Sequence, residues 1–300
     1  MAYGLVTVFG GGGFLGRRIV ERLGAAGARV RVAVRHTMME GVPPQAGDVE
    51  VVYADVRDGT TVAQAVRDSD AVVNAVGLYV EHGEATFQAV HVDGAQEVAR
   101  AAREAGIRRL VHISGIGADV NSESSYVRSR GLGERAVREA FMEATILRPS
   151  ALFGPGDALF RSLAAITRIS PVFPLFGSGS TRLQPVFVGD VAEAVVKALG
   201  IPSGSGKVYE LGGPRVYRYK ELVELVLVHL KRRRVLVPVP FFVWEIQAAL
   251  LGILPNPPLT RDQVTLMRRD NVVSDTALTF ADLSITPRGV EAELPSIVAY

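Results

Sequence analysis

The stretch that most constrains this chain is Leu5 to Gly16. Leu5-Val6-Thr7-Val8-Phe9 is a short β-branched and apolar run, and Gly10-Gly11-Gly12-Gly13-Phe14-Leu15-Gly16 follows it without a gap. From Phe14 onward, Leu15, Ile19 and Leu23 recur at helical spacing. Strand, glycine turn and amphipathic helix in this order predict the opening of a βαβ unit. A tight exit from a buried strand needs backbone angles that glycine adopts at little cost. A pyrophosphate can then approach the backbone with no Cβ in its way. Its charge rests on the free N–H groups and the positive end of the helix. Gly10, Gly13, Phe14, Leu15 and Gly16 are therefore the expected dinucleotide-binding residues of the turn. Two spacings fit: Gly11, Gly13 and Gly16 read as G-x-G-x-x-G, and Gly10, Gly13 and Gly16 as G-x-x-G-x-x-G.

The next strand, Arg29 to Val34, ends in Arg35-His36. An NAD site usually carries Asp or Glu here, to accept hydrogen bonds from the ribose hydroxyls. A guanidinium instead pairs bidentately with a 2′-phosphate. NADP(H) is therefore preferred over NAD(H).

The first half of the chain alternates strand and helix patterns, which predicts an α/β fold with a doubly wound parallel sheet of the Rossmann type. Strands are expected at Arg29–Val34, Val49–Tyr53, Ala71–Ala75, Arg109–Ile113 and Ala144–Leu147. Helices are expected at Thr60–Arg67, Ala85–Ala105 and Glu123–Ala140. Residues 1–150 would form the nucleotide-binding core, and 151–300 a smaller C-terminal α/β lobe interleaved with it. Asp55-Val56, Ala75-Val76-Gly77, Ser114 and Pro149 all fall at carboxyl ends of predicted strands, the edge at which open parallel sheets bind ligands. An Asp at position 55 can accept from an adenine amino group. The small residues after Asn74 let a cofactor lie against the backbone.

Composition narrows the partners. Thirty-three basic residues face 31 acidic ones, so a pI near 9.0 is no argument for nucleic acid. There is no cysteine, hence no disulfide and no thiolate chemistry. The five histidines show no metal-ligand spacing, so no metal site is expected. The chain opens directly into its first strand, with no signal or transit peptide visible. Either the protein is bacterial and cytosolic, or the sequence is of a mature form.

The second half is less regular. Asp157 and Asp190 are expected helix caps, and Ser170 to Pro185 reads as a loop rich in Gly, Ser and Pro. A strand at Lys207–Leu211 and a helix at Tyr219–Leu230 follow. Lys231-Arg232-Arg233-Arg234 is a basic run that suits a helix C-terminus. Val235 to Leu254 is almost wholly apolar. Its two prolines, Glu245 and Gln247 argue against a membrane span. It is expected to be a partly exposed helix that contacts lipid or a subunit, or else one buried in the C-terminal lobe.

Tyr126 and Arg130 stand four residues apart at the start of a predicted helix and so share a face. With the glycine turn and Ser114, they resemble the short-chain dehydrogenases, in their extended and atypical form, and favour the Gly10, Gly13, Gly16 spacing. In that family the pair is Tyr and Lys. The Tyr is the acid for hydride transfer to a carbonyl, the Lys binds ribose and lowers the Tyr pKa, and the Ser polarises the carbonyl. Here the Lys is Arg130, and the swap is not conservative. Ser114, Tyr126 and Arg130 are thus expected as a vestigial catalytic set that still contacts the nucleotide.

A closer resemblance rests on Val8-Phe9-Gly10, Phe14-Leu15-Gly16-Arg17, Tyr126-Val127-Arg128-Ser129-Arg130, Ala144-Thr145-Ile146-Leu147-Arg148-Pro149-Ser150 and Gln184-Pro185-Val186-Phe187-Val188. It rests above all on Asn256-Pro257-Pro258-Leu259-Thr260-Arg261-Asp262-Gln263-Val264 and Asp270-Asn271-Val272-Val273-Ser274. These are similar to the NADPH-binding accessory subunits of respiratory complex I, the alpha subcomplex subunit nine type and its alphaproteobacterial counterparts. The resemblance implies a non-catalytic subunit with one tightly bound NADPH, which supports assembly and stability. It implies docking among the other complex I subunits of the peripheral arm, near the membrane junction and the quinone site, and so a peripheral place on the cytoplasmic face of a bacterial inner membrane, with no transmembrane helix. By position, Gly10, Gly13, Gly16, Arg35, Asp55, Ala75, Val76 and Tyr126 would carry the nucleotide. Two other readings stand beside it: an active NADP-dependent reductase or epimerase, and an NADP(H) redox sensor.

Overall fold

The computed structural model describes residues 4–35, 49–201, 206–252, 254, 257 and 259–298. His36 therefore lies outside the described residues, as do Asn256 and Pro258 of the tail motif.

Met1–Pro149, Val188–Leu211 and Asp275–Thr286 form one compact unit. Its elements begin with β1 (Leu5–Phe9), α1 (Phe14–Ala25), β2 (Arg29–Val34), β3 (Val49–Tyr53), α2 (Gly59–Val66) and β4 (Ala71–Asn74). A wide π-helical turn, Gln88–Asp93, leads into α3 (Gly94–Glu104), followed by β5 (Leu110–Ile113), α4 (Ser125–Ala140) and β6 (Thr145–Pro149). A second unit comprises Ser150–Phe187, Gly212–Ser274 and Pro287–Tyr300. It opens with β7 (Leu152–Phe153), α5 (Ala158–Ile169), β8 (Val172–Phe176), β9 (Arg182–Leu183) and β10 (Val186–Phe187). The chain returns to the first unit for α6 (Val188–Leu199) and β11 (Val208–Leu211). It re-enters the second for β12 (Tyr217–Arg218), α7 (Tyr219–His229), β13 (Val235–Val239), α8 (Phe241–Leu251), α9 (Arg261–Leu266) and finally α10 (Val290–Val298).

The first unit is built on a seven-stranded sheet in the order β11-β6-β5-β4-β1-β2-β3, and every pair in it is parallel. All residues of β1, β4 and β5 are buried, as strands covered on both faces must be. Val62, Ala65 and Val66 of α2, Ala95, Val98 and Ala102 of α3, and Val137 of α4 form one core with Phe9 and Val72. The strand order reverses between β1 and β4. Such a switch point opens a crevice at the carboxyl ends of the strands.

The sequence reading of the first half holds to within two residues at most element ends. Ala85–Ala105, however, is not one regular helix, since its first turn is the π-helical segment 88–93. Close packing explains this. α4 lies against that turn at Gly133, where a Cβ would stand 2.0 Å from the His91 carbonyl oxygen. Asp58 caps α2 by accepting from the Thr60 N–H at 2.9 Å.

Three expectations for the second half need correction. Ser170–Pro185 is not all loop: Val172–Phe176 is a strand that pairs in parallel with Val235–Val239. Val235–Leu254 is accordingly a strand followed by a helix. Pro240, which has no N–H to continue the ladder, ends the strand and stands at the N-cap of α8. Asp190 is not a cap, because α6 begins at Val188 and leaves Asp190 buried in the first turn, a favourable place for a carboxylate. Asp157 does cap α5, accepting from the Phe160 N–H at 2.7 Å. The tail motif is built into this unit. The Asn271 N–H donates to the Arg182 carbonyl at 2.8 Å, and its own carbonyl accepts from the Gln184 N–H at 3.0 Å.

Candidate dinucleotide site

All the site residues predicted within the described part lie in the first unit, at the carboxyl edge of its sheet. Gly10 follows β1 with φ +75°, and Gly13 is the N-cap of α1. Phe14 and buried Leu15 open the helix. A Cβ on Gly16 would stand 2.0 Å from the Gly10 carbonyl oxygen. The helix therefore sits directly on the turn, and no larger residue keeps that contact. The backbone shape is that of a pyrophosphate cradle, with the N-terminal N–H groups of α1 left free of side-chain caps.

The second wall is the segment after β4. Ala75 donates its N–H to the Phe9 carbonyl at 3.0 Å, which fixes it beside the glycine turn. The Asn74 side chain accepts from the Val76 N–H at 3.2 Å and holds the bend. Gly77 lies against the Arg130 guanidinium. On the far side, Ser114 and Ile116 follow β5, with the Ser114 N–H on the Leu147 carbonyl and the Ile116 N–H on the Pro149 carbonyl. The predicted residues Gly10, Ala75, Gly77, Arg130, Ser114 and Pro149 are thus linked in one chain of contacts.

Tyr126 and Arg130 share a face of α4, as expected. Arg130 Nη2 donates to the Tyr126 hydroxyl at 3.5 Å, and Nη1 to the Ile113 carbonyl at 3.2 Å. An aromatic cluster around Tyr126 was not anticipated. Tyr79 stacks on it at 5.7 Å between ring centroids, and Phe87 and His91 meet it edge-on, each at 5.7 Å. The neighbouring Tyr126 phenol pushes Tyr79 up to about 12. His91 accepts from the Leu78 N–H at 3.0 Å through Nε2, which places its proton on Nδ1, 2.8 Å from Ser129 Oγ. That hydroxyl donates to the Tyr126 carbonyl at 2.8 Å. His91, Ser129 and the backbone of Tyr126 thus form one buried relay. The signal was present in the sequence as Phe87 and His91 at i and i+4, but helical core accounts for that spacing equally well.

Burial and the Arg130 charge hold His91 far below the usual histidine range, and the same two causes lower His112 to about 3. Three buried polar atoms near the end of β5 have no hydrogen-bond partner among the described residues: Ser114 Oγ, His112 Nδ1 and Arg130 Nε. Buried orphans of this kind are rare in folded proteins, and here they cluster where the carboxamide and ribose of a nicotinamide nucleotide could satisfy them. The cradle and the orphans together fit such a nucleotide.

The adenosine end is less simple. Arg35 is exposed at the end of β2. Asp55 is buried after β3, and Arg57, which sequence reasoning missed, holds both of its carboxylate oxygens, with Nη2 to Oδ2 at 2.6 Å and Nε to Oδ1 at 3.0 Å. That pairing keeps Asp55 below the usual carboxylate range despite its burial, and the Arg35 charge adds to the effect. Val56 is buried and packs against Gly94 at the start of α3. Among the described residues, no group of three His, Asp or Glu could hold a metal ion.

A seven-stranded parallel sheet, a glycine cradle at its switch point and a Tyr-x-x-x-Arg pair beside it place this chain in one large class of α/β proteins. The NAD dependent epimerase/dehydratase family matches residues 6–212. A nucleoside-diphosphate-sugar epimerase from Staphylococcus aureus has the same fold, with a TM-score of 0.76 at 18% identity, covering 99% of this chain and 100% of that one. NADH dehydrogenase (ubiquinone) 1 alpha subcomplex subunit 9, mitochondrial, from Arabidopsis thaliana is 34% identical, over 94% of this chain and 74% of its own. A ceramide reductase from Caulobacter vibrioides is 36% identical over 197 residues, 65% of this chain and 61% of its own. Within the epimerase/dehydratase class, this chain belongs to the alpha subcomplex subunit 9 family.

Proposed function

We propose that this protein is an accessory subunit of respiratory complex I that holds NADPH as a structural cofactor. The observation that carries the reading is the relationship to alpha subcomplex subunit 9, which runs through both units and covers 94% of the chain. Three features of the site support it. The cradle and the orphaned polar atoms suit a nucleotide. The ammonium that would tune the Tyr126 phenol is replaced by Arg130, whose Nη2 reaches the hydroxyl only at 3.5 Å. Tyr79 stacks on the Tyr126 ring. A bound nucleotide of this kind supplies folding energy: ligand at a thousandfold excess over Kd stabilises by about 4 kcal/mol.

Gly10, Gly13 and Gly16 with the start of α1 would hold the pyrophosphate, and Arg35 the 2′-phosphate. Ser114, Tyr126 and Arg130 would meet the nicotinamide ribose and carboxamide. NADPH supplies a hydride donor when bound, and this chain's residues bind and orient it. The subunit would act at the inner membrane as part of the complex. Among the described residues no helix is long and apolar enough to cross a membrane. α8 leaves Phe242, Ile246 and Leu250 exposed at i, i+4 and i+8, an apolar stripe suited to burial by neighbouring subunits.

A tagged copy purified in mild detergent should bring down the other complex I subunits. Isolation as a lone protein at native expression would refute the assignment. Arg35→Asp should weaken NADPH binding by about 2 kcal/mol, roughly thirtyfold, with NADH affinity retained or improved. Titration of the intrinsic NADPH fluorescence reads this directly, and an unchanged NADPH/NADH ratio would remove Arg35 from the phosphate site.

The ceramide reductase relative favours a second reading, an active NADP-dependent reductase. It requires NADPH oxidation on a carbonyl substrate that Tyr126→Phe abolishes. Binding without turnover leaves the structural reading standing.

A further inference from the structure

The second unit carries a surface that neither the nucleotide site nor the apolar stripe of α8 explains. α5 ends at Ile169, which is 86% exposed. Three residues on, Val172 stands in register opposite Val235, which is 64% exposed, and the Val235 N–H donates to the Pro171 carbonyl at 3.1 Å. Ile166, Val172 and Val237 are exposed as well. Five aliphatic side chains thus face water around one junction between a helix end and a strand start.

The basic run is folded onto this junction. Arg234 Nε donates to the Thr167 carbonyl at 2.9 Å, and Arg232 Nη1 to the Arg168 carbonyl at 3.3 Å. These carbonyls belong to the last turn of α5, where cations are favoured. The cations therefore cap α5, not α7, the helix that precedes them in sequence. Capping accounts for two of the four. Lys231, held in a left-handed turn at φ +51°, and Arg233 are exposed. None of the four is paired with a carboxylate among the described residues. The surface beside α8 differs, because Arg268 there is tied to Glu245 at 2.6 Å.

We propose that this junction, Ile166, Ile169, Val172 and Val235 with Lys231 and Arg233, is a contact surface for the headgroup region of an anionic lipid bilayer. Exposed aliphatics interleaved with unpaired cations match the two layers of such an interface. The apolar ends enter below the headgroups, while ammonium and guanidinium groups pair with phosphates. Long, flexible cations on a turn suit mobile phosphodiesters better than carboxylates fixed in a partner protein. The inference goes beyond membership of complex I and does not depend on it, since the isolated chain can be tested.

The test is flotation of the full-length protein with vesicles of phosphatidylglycerol and phosphatidylethanolamine, compared with phosphatidylcholine vesicles. Binding should be at least tenfold tighter on the anionic vesicles and should weaken with salt. Lys231→Glu with Arg233→Glu should lower it at least tenfold, and Ile169→Ser with Val235→Ser should lower it likewise. These positions are exposed, and unchanged thermal unfolding of each variant confirms that the fold is kept. Equal binding to both vesicle types would overturn the proposal, as would no binding to either, or no effect of either variant pair. If the variants lose complex I association while the wild type ignores every vesicle, the surface belongs to a protein partner and the proposal fails.

Discussion

Lowering the pH from 8 to 5 should cost the folded protein about 4 kcal/mol, about 2 from each of His91 and His112. Both rings are nearly inaccessible, at 3% exposure each. Burial first, and then the Arg130 charge, keeps their native pKa values far below the ordinary histidine value of 6.5. Between pH 6.5 and pH 5 the unfolded chain therefore takes up protons that the native state refuses. Stability is fully present above the unfolded value and falls steadily as the pH drops below it. Urea unfolding at pH 8, 6.5, 6 and 5 measures the slope. His112→Leu should remove about half of it, because His112 Nδ1 has no partner to lose among the described residues. A flat profile through this window would mean that both rings gain a proton in the native state, and half the slope that one of them does. The relay from Leu78 through His91 to Ser129 requires the neutral ring with its proton on Nδ1.

Arg148→Ala should destabilise the first unit by about 3–5 kcal/mol. Arg148 on β6 makes two parallel hydrogen bonds to Glu134 on α4, at 2.6 and 2.9 Å, and reaches Glu210 on β11 at 3.4 Å. Glu134 and Glu210 are both buried. Removing the guanidinium leaves two carboxylates in a poorly solvated place, and that desolvation cost exceeds the worth of the ion pairs themselves. The hydrogen bonds to Glu134 and the charges of both carboxylates also raise Arg148 above its ordinary range, so it stays charged at any working pH. Arg148→Ala with Glu134→Leu should recover part of the loss, since an apolar replacement of both partners leaves fewer charges buried. Denaturant midpoints at unchanged slope are the readout, and a single-variant loss below about 1 kcal/mol would place the trio in solvent-like surroundings.

The sheet and its glycine turn were legible because each rests on local pattern. Leu5–Phe9 is apolar or β-branched throughout, Gly10 to Gly16 follows at once, and Ala71–Asn74 and Leu110–Ile113 repeat the motif of a strand buried on both faces. The strand-end residues Asp55, Ala75, Ser114 and Pro149 could be placed on one edge by topology alone. What pairs with them could not. Arg57 on Asp55 and Ser129 on His91 are side-chain choices made after the backbone is fixed. In the second half, β8 and β13 pair across about sixty residues of chain. Neither strand has a hairpin turn to announce it, so Val235–Val239 read as the start of an apolar helix. By sequence position the basic run suits the C-terminus of α7, whereas the fold sets Arg232 and Arg234 on the last turn of α5.

The central claim is a complex I subunit that keeps one NADPH. Native mass spectrometry of the gently solubilised membrane assembly tests it most directly, with the nucleotide released by denaturation and identified. The predicted result is one copy of this chain in a particle of complex I size, releasing NADPH at one equivalent. A free monomer that exchanges NADP(H) with solution, or a complex I particle from which this chain is missing, would contradict it.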